Sequence, residues 1–189
     1  MLNKQNRQSM KSKFILLFFA INWFVCSNLC GANKSPIEMR FDSLRIKAQE
    51  LINTSEEISC LDSMLQLAQT TDSVYWESLA MSFMARNYYN RMMPDSLMYW
   101  AGKMETLALK HKHYKLFFDT YSLVCCWELY AKNYESALDK TNRLYLLAKD
   151  LNNTNGLIAS YETIGLIYME TFRYVEAIKA YKEGLQLQR

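Results

Sequence analysis

Shifted against itself by 40 residues, the sequence falls into register without a gap. The shift aligns Phe41, Met81, Tyr121 and Tyr161, then Leu44, Met84, Val124 and Ile164, then Ile58, Met98, Leu138 and Ile178. The Leu-Ala pairs Leu67-Ala68, Leu107-Ala108 and Leu147-Ala148 keep the same spacing, and Leu187 falls in step. Self-similarity at such a period marks supersecondary units that cannot bury their apolar faces alone and do so by stacking. The copies divide as 38–77, 78–117, 118–157 and 158–189, within a body spanning 33–189.

Inside each unit the apolar spacing is helical. In the last copy Tyr161, Ile164 and Tyr168, then Tyr174, Ala177, Ile178, Tyr181 and Leu185, recur at threes and fours, with Thr171, Phe172 and Arg173 between the runs. Turn and capping residues separate the units: Thr54 with Glu57 three positions on, the group Thr70, Thr71, Asp72 and Ser73, and the run from Asn152 to Gly156. Pro94 followed by Asp95 marks another helix start, where a missing N–H costs nothing. Forty residues then hold two helices of about 15–18 residues each, joined as a hairpin. The fold class is all-α.

The fourth copy resembles a tetratricopeptide repeat. Tyr161, Ile164, Gly165 and Tyr168 on its first helix, and Ala177 and Tyr181 on its second, stand at that family's spacings, in the longer form of about 40 residues. A small residue lets two helices approach at the hairpin crossing, and aromatic rings fill the space beside it. The third copy keeps Tyr121, Val124, Cys125 and Ala137 but has Glu128 and Thr141 where aromatics are expected. The second keeps Met81, Met84, Ala85 and Tyr88, with Leu97 and Ala101 on its second helix. The first carries Arg45 at the small position, so the resemblance covers 78–189 and leaves the first copy as a divergent cap. It implies a right-handed superhelical stack of antiparallel helical hairpins, an α-solenoid.

The N-terminus reads as a targeting segment. Lys4, Arg7, Lys11 and Lys13 lead into an apolar run from Phe14 to Val25, and Cys30, Gly31 and Ala32 offer the small residues a signal peptidase requires. Residues 1–32 are therefore expected to be a signal peptide, cleaved after Ala32, placing the mature chain in the periplasm or outside the cell. The alternative is an uncleaved anchor in the inner membrane, although twelve apolar residues interrupted by Asn22 fall short of the roughly 20 that span a bilayer. The sequences before Cys26 and Cys30 fit a lipoprotein signal poorly.

Charge argues against nucleic acid. Four of the 22 basic residues precede the apolar run and no acidic residue occurs before Glu38, so the rest of the chain sets 18 basic residues against 19 acidic ones. Such a body has no counterion-release drive toward a phosphate backbone.

Signatures of catalysis are absent from the sequence. It contains no Gly-rich phosphate loop, no Cys-x-x-Cys pair and no Gly-x-Ser-x-Gly elbow. His111 and His113, the only histidines, lie two apart and read as a surface turn, since a helical metal pair needs positions i and i+4. Cys125 reads as a small buried apolar residue, and with Cys60 and Cys126 it leaves an odd number of thiols in the mature chain. Asn53 and Asn152 begin glycosylation-type triplets that read as turns. Neither enzymatic activity nor a cofactor or metal is expected.

The resemblance implies a groove lined by the first helix of each hairpin. The positions not consumed by the hairpin contact are Ser82, Arg86, Tyr89 and Asn90, then Asp119, Ser122, Cys126 and Tyr130, then Glu162, Leu166, Met169 and Glu170. A protein or peptide partner is expected there. Two functional readings follow. One is a sensory or scaffolding module, similar to repeat regions that precede a membrane segment and an output domain in Bacteroidota-type regulators; the other is a free-standing secreted adaptor. Membrane association would come through an uncleaved N-terminus or a further segment. In the last helix Ala177, Ile178, Tyr181 and Leu185 are expected to face the hairpin partner, while Val175 and Leu187 lie off that stripe and would support self-association through the C-terminal helix.

Overall fold

The turns of this protein recur every twenty residues. Asp72, Met92, Lys112, Lys132, Asn152 and Phe172 all take a left-handed backbone, with φ between 49° and 64°. At most of them the chain closes a helix with the same pair of hydrogen bonds: Met92 N–H to Tyr89 O and Met93 N–H to Tyr88 O, repeated by Lys132 and Asn133, by Asn152 and Asn153, and by Phe172 and Arg173. This is the Schellman closure, which satisfies carbonyls that a helix end would otherwise leave unpaired. The residue completing it then opens the next helix. Asn153, for example, bonds back to Ala148 O while its side-chain oxygen accepts from Gly156 N–H at 2.8 Å.

The computed structural model describes residues 34–52 and 54–188, so the targeting segment and Asn53 fall outside the described residues. Among those described, the structure is helical throughout and has no strand. The helices are α1 (Pro36–Glu50), α2 (Ser55–Thr70), α3 (Val74–Asn90), α4 (Pro94–His111), α5 (Phe117–Tyr130), α6 (Tyr134–Asp150), α7 (Thr154–Glu170) and α8 (Tyr174–Gln186). Pro94 is at the first turn of α4. The chain divides at Glu38–Met39, and the described residues from Met39 onward form one compact unit. Just before it in sequence, Ser35 and Glu38 form a reciprocal capping box, with Ser35 N–H on Glu38 Oε2 at 2.6 Å and Glu38 N–H on Ser35 Oγ at 3.2 Å. The box expected at Thr54 does not form. The Thr54 hydroxyl turns back to donate to Leu51 O at 2.7 Å, satisfying a carbonyl at the end of α1 instead.

Short connections fold each helix back on the one before, and from α2 onward every helix packs on its neighbour in sequence. First helices of successive hairpins also touch, α3 against α5 and α5 against α7. The architecture is that of stacked helical hairpins. The repeat boundaries drawn at 78 and 158 fall inside α3 and α7, because the chain turns at 71–73 and 151–153, where the polar residues are.

The Leu-Ala pairs show why the register holds. Ala68, Ala108 and Ala148 are fully buried, each four residues before a left-handed turn, and their Leu neighbours are only half-buried. Around them Leu61, Met64, Met84, Leu97, Met104 and Leu144 are shut off from solvent, each contributing about 1.5–3 kcal/mol relative to an exposed side chain. Phe41 of α1 stacks on Trp76 of α3 with ring centroids 4.8 Å apart. Phe117 and Phe118 meet edge-on at 5.0 Å. Gly156 lets Phe118 lie against α7, since a Cβ there would come within 2.7 Å of the ring. Thr141 stands where an aromatic was expected, fully buried, with its hydroxyl donating to Ala137 O at 2.7 Å. Cys60 and Cys125 are buried free thiols.

One expectation for the last helix is overturned. Ile178 and Leu185 do not face the hairpin partner but are 55 % and 54 % exposed, beside Val175 at 79 %. The stripe that meets α7 is Ala177, Tyr181 and Gly184, one position round the helix, because the close approach at Gly165 and Gly184 sets its rotation. No helix among the described residues is long and apolar enough to cross a membrane.

Candidate functional site

The face made by the first helices α3, α5 and α7 gathers the polar side chains that the core does not use. Its foundation is a buried hydrogen bond: Thr120 Oγ1 of α5 donates to Ser82 Oγ of α3 at 3.1 Å. Ser82 is thereby enclosed between the two helices and does not line an open surface. Ser122 also turns inward along its own helix, donating to Phe118 O at 2.9 Å.

One turn on from Ser82, Arg86 is half-buried and close enough to Asp119 of α5 for their charges to act on each other. Asp119 in turn acts on Glu162 of α7. A row of one cation and two carboxylates therefore crosses three helices. Surrounding protein withdraws hydration from all three groups even though solvent reaches them. Desolvation lowers the Arg86 value against the opposing pull of Asp119, and raises that of Asp119 against the pull of Arg86. Glu162 is pushed up to about 6, first by desolvation and then by the neighbouring Asp119 charge.

Beside this row lies a group of weakly acidic side chains. The half-buried Cys126 thiol is pushed up to about 12 by desolvation and by Cys125, so it is a poor thiolate near neutral pH. Desolvation also raises the Tyr89 phenol, with Cys126 and Tyr130 adding to the effect. Tyr181 of α8 is pushed up to about 12 by desolvation, then by Glu162 and Cys126. Sequence reasoning assigned Tyr181 to the hairpin crossing alone, but its ring lies on Gly165 while its hydroxyl acts on this face. A long side chain can serve both places, and spacing does not distinguish them.

The remaining expected residues lie toward the helix ends. Tyr130 is 53 % exposed with its ring against Trp127, centroids 5.8 Å apart, and Met169 is 43 % exposed. Asn90 is exposed at the end of α3. Leu166 and Glu170 are half-buried on α7. The structure thus brings Arg86, Asp119 and Glu162 together, and places Tyr89, Cys126 and Tyr130 as a second group. His111 ends α4 exposed, and His113 sits edge-on to Tyr75 at 6.1 Å. Among the described residues no three His, Cys, Asp or Glu side chains are placed to hold a metal ion.

No protein-family model matches the chain, and neither does any curated protein or solved structure.

Proposed function

We propose that this chain is a helical-repeat scaffold of the tetratricopeptide-like kind, exported from the cytoplasm, which takes a protein or peptide partner on the face of α3, α5 and α7. The row Arg86, Asp119 and Glu162 carries the reading. Ionised groups partly stripped of water gain more from a complementary partner than fully hydrated ones do. With two carboxylates to one guanidinium, the row favours a partner segment that presents Lys or Arg toward Asp119 and Glu162 and an acidic group toward Arg86. The helices behind are held by the Ser82–Thr120 bond and the close crossing at Gly165, so little ordering is needed on binding.

Selection from a random peptide library displayed on phage tests this. The expected result is an enriched basic motif, lost when Asp119→Asn and Glu162→Gln are combined and weakened by Arg86→Ala, with the melting temperature not lowered. Polar changes at positions that solvent reaches alter stability by within about 0.5 kcal/mol, whereas a core truncation such as Ile167→Ala, at a side chain shut off from solvent, costs about 2–5 kcal/mol. If Arg86→Ala matched the core truncation, its side chain would be packing and the site assignment would fail. Export is checked separately: the protein recovered from a bacterial host should begin at Asn33 by mass spectrometry, and an intact Met1 would refute it.

A further inference from the structure

On the side formed by the second helices, successive hairpins leave a slot where one second helix faces the next across a first helix. The 40-residue register makes three such slots comparable: α2 with α4 over α3, α4 with α6 over α5, and α6 with α8 over α7. The middle slot is closed by a bridge. Arg143 of α6 donates to Glu105 Oε1 of α4 at 2.5 Å and to the Tyr121 hydroxyl of α5 at 3.3 Å, with its guanidinium 5.8 Å from the Tyr121 ring centroid. The last slot is closed by Tyr145 of α6 against Tyr161 of α7, ring centroids 5.5 Å apart.

The first slot has neither device. Leu65, Met81 and Lys103 stand where the middle slot has Glu105, Tyr121 and Arg143. Lys103 does not bridge the slot but lies back along its own helix over Tyr99 and Trp100, its Nζ 4.8 Å and 5.4 Å from their ring centroids, still lining the opening. Gly102 stands where the middle slot has Asn142, and a Cβ on it would meet nothing within 4 Å. The result is a cleft of about 450 Å³, open to solvent, with Leu65, Met81 and Leu107 as apolar lining, Trp100 as an aromatic wall, Gln69 and Thr106 as polar lining, and Lys103 and Lys110 against the single carboxylate of Glu77.

We propose that this cleft binds a small aromatic acid, a molecule of one or two fused rings bearing one carboxylate or sulfonate. Three features select that chemistry. The equivalent slots are filled by flat π-systems, a guanidinium over a tyrosine in one and a pair of tyrosines in the other. The apolar part of the lining includes a tryptophan, which suits a ring face. The lysines outnumber the glutamate, so an anionic substituent is favoured over a cationic one. A cleft of this volume lies within the roughly 300–1,000 Å³ of ordinary ligand sites. The site is separate from the α3, α5 and α7 face and does not depend on its partner.

Isothermal titration calorimetry with 1-naphthoate and with 1-naphthylmethylamine, the same ring with a cationic substituent, tests the proposal. Naphthoate should bind with a dissociation constant on the order of 1 mM or tighter, and the amine at least about tenfold more weakly. The triple variant Leu65→Glu, Met81→Tyr and Lys103→Arg, which installs the neighbouring slot's own bridge, should abolish naphthoate binding while remaining helical by circular dichroism. Should that variant not fold, Gly102→Trp closes the cleft from an exposed position and should have the same effect. Absence of naphthoate binding up to about 10 mM, equal binding of the amine, or undiminished binding by a folded closed variant would each overturn the proposal.

Discussion

The ring of Tyr181 on α8 occupies the space that a side chain on Gly165 of α7 would need: a Cβ built there meets the ring carbons Cε1 and Cζ at 2.6 Å. The two helices can cross this closely only because one of them is bare at that point. The contact also places the Tyr181 hydroxyl beside Glu162 and Cys126, so the crossing that holds the last hairpin together shapes the candidate site.

Glycine replacement should therefore have opposite effects at two positions. Gly165→Ala gains helix propensity but forces the Tyr181 ring to move, and a net loss of about 1–2 kcal/mol is expected. Gly102→Ala, with nothing near its Cβ, should instead stabilise by about 0.5–1 kcal/mol. Urea midpoints at constant m-value measure both, and equal effects would show that the crossing is not tight.

The left-handed turns give a second test. Lys132 holds φ at 64°, a conformation that costs an L-residue about 1–2 kcal/mol. Lys132→Gly should stabilise by about 0.5–1 kcal/mol after the added freedom of the unfolded chain is subtracted. Asn152→Gly should change stability by no more than a few tenths of a kcal/mol, because asparagine already tolerates this region. Thermal denaturation of the two variants side by side discriminates them.

Glu128 is buried, yet it is met by Lys140 Nζ at 2.8 Å and Asn133 Nδ2 at 3.0 Å. These bonds, the one from Lys140 foremost, hold its carboxyl below the ordinary value despite burial. Because the folded state binds the proton less readily than the unfolded state, the stabilisation is present above the ordinary carboxylate range and is lost as pH falls through it. Lys140→Met, which leaves the carboxylate without its cation, should cost about 1–3 kcal/mol at pH 7. Its deficit relative to the parent should shrink toward pH 3, and a deficit that does not vary with pH would point to packing.

Glu162 has the opposite sign. Its value is raised to about 6, so the folded state takes up the proton first, and stability falls as pH rises from the ordinary carboxylate range through 6. Glu162→Gln should melt higher than the parent at pH 7–8 and equally at pH 4. Solvent still reaches the carboxyl and trims the effect, so a gain of about 2–4 °C is expected. Parallel melting curves from pH 4 to 8 would remove Glu162 from the desolvated row.

Helical spacing, the hairpin repeat, the start at Pro94 and the buried Leu-Ala register were legible because each follows from local periodicity. A residue's neighbours at i+3 and i+4 largely decide which side it shows. The twenty-residue turn was not legible. The expected signal is glycine, and the positions are held by Asp72, Met92, Lys112, Lys132, Asn152 and Phe172, where the paired closing hydrogen bonds offset the cost of the backbone. Tertiary structure alone decided the rest. The rotation that exposes Ile178 and buries Ala177 depends on how closely α8 approaches Gly165. The row of Arg86, Asp119 and Glu162 depends on the stagger of three helices, which brings together residues more than thirty apart in sequence. Lys103 and Arg143 hold equivalent positions in the repeat, yet the first folds back over Tyr99 and Trp100 of its own helix while the second, facing Glu105 and Tyr121, bridges to the preceding second helix.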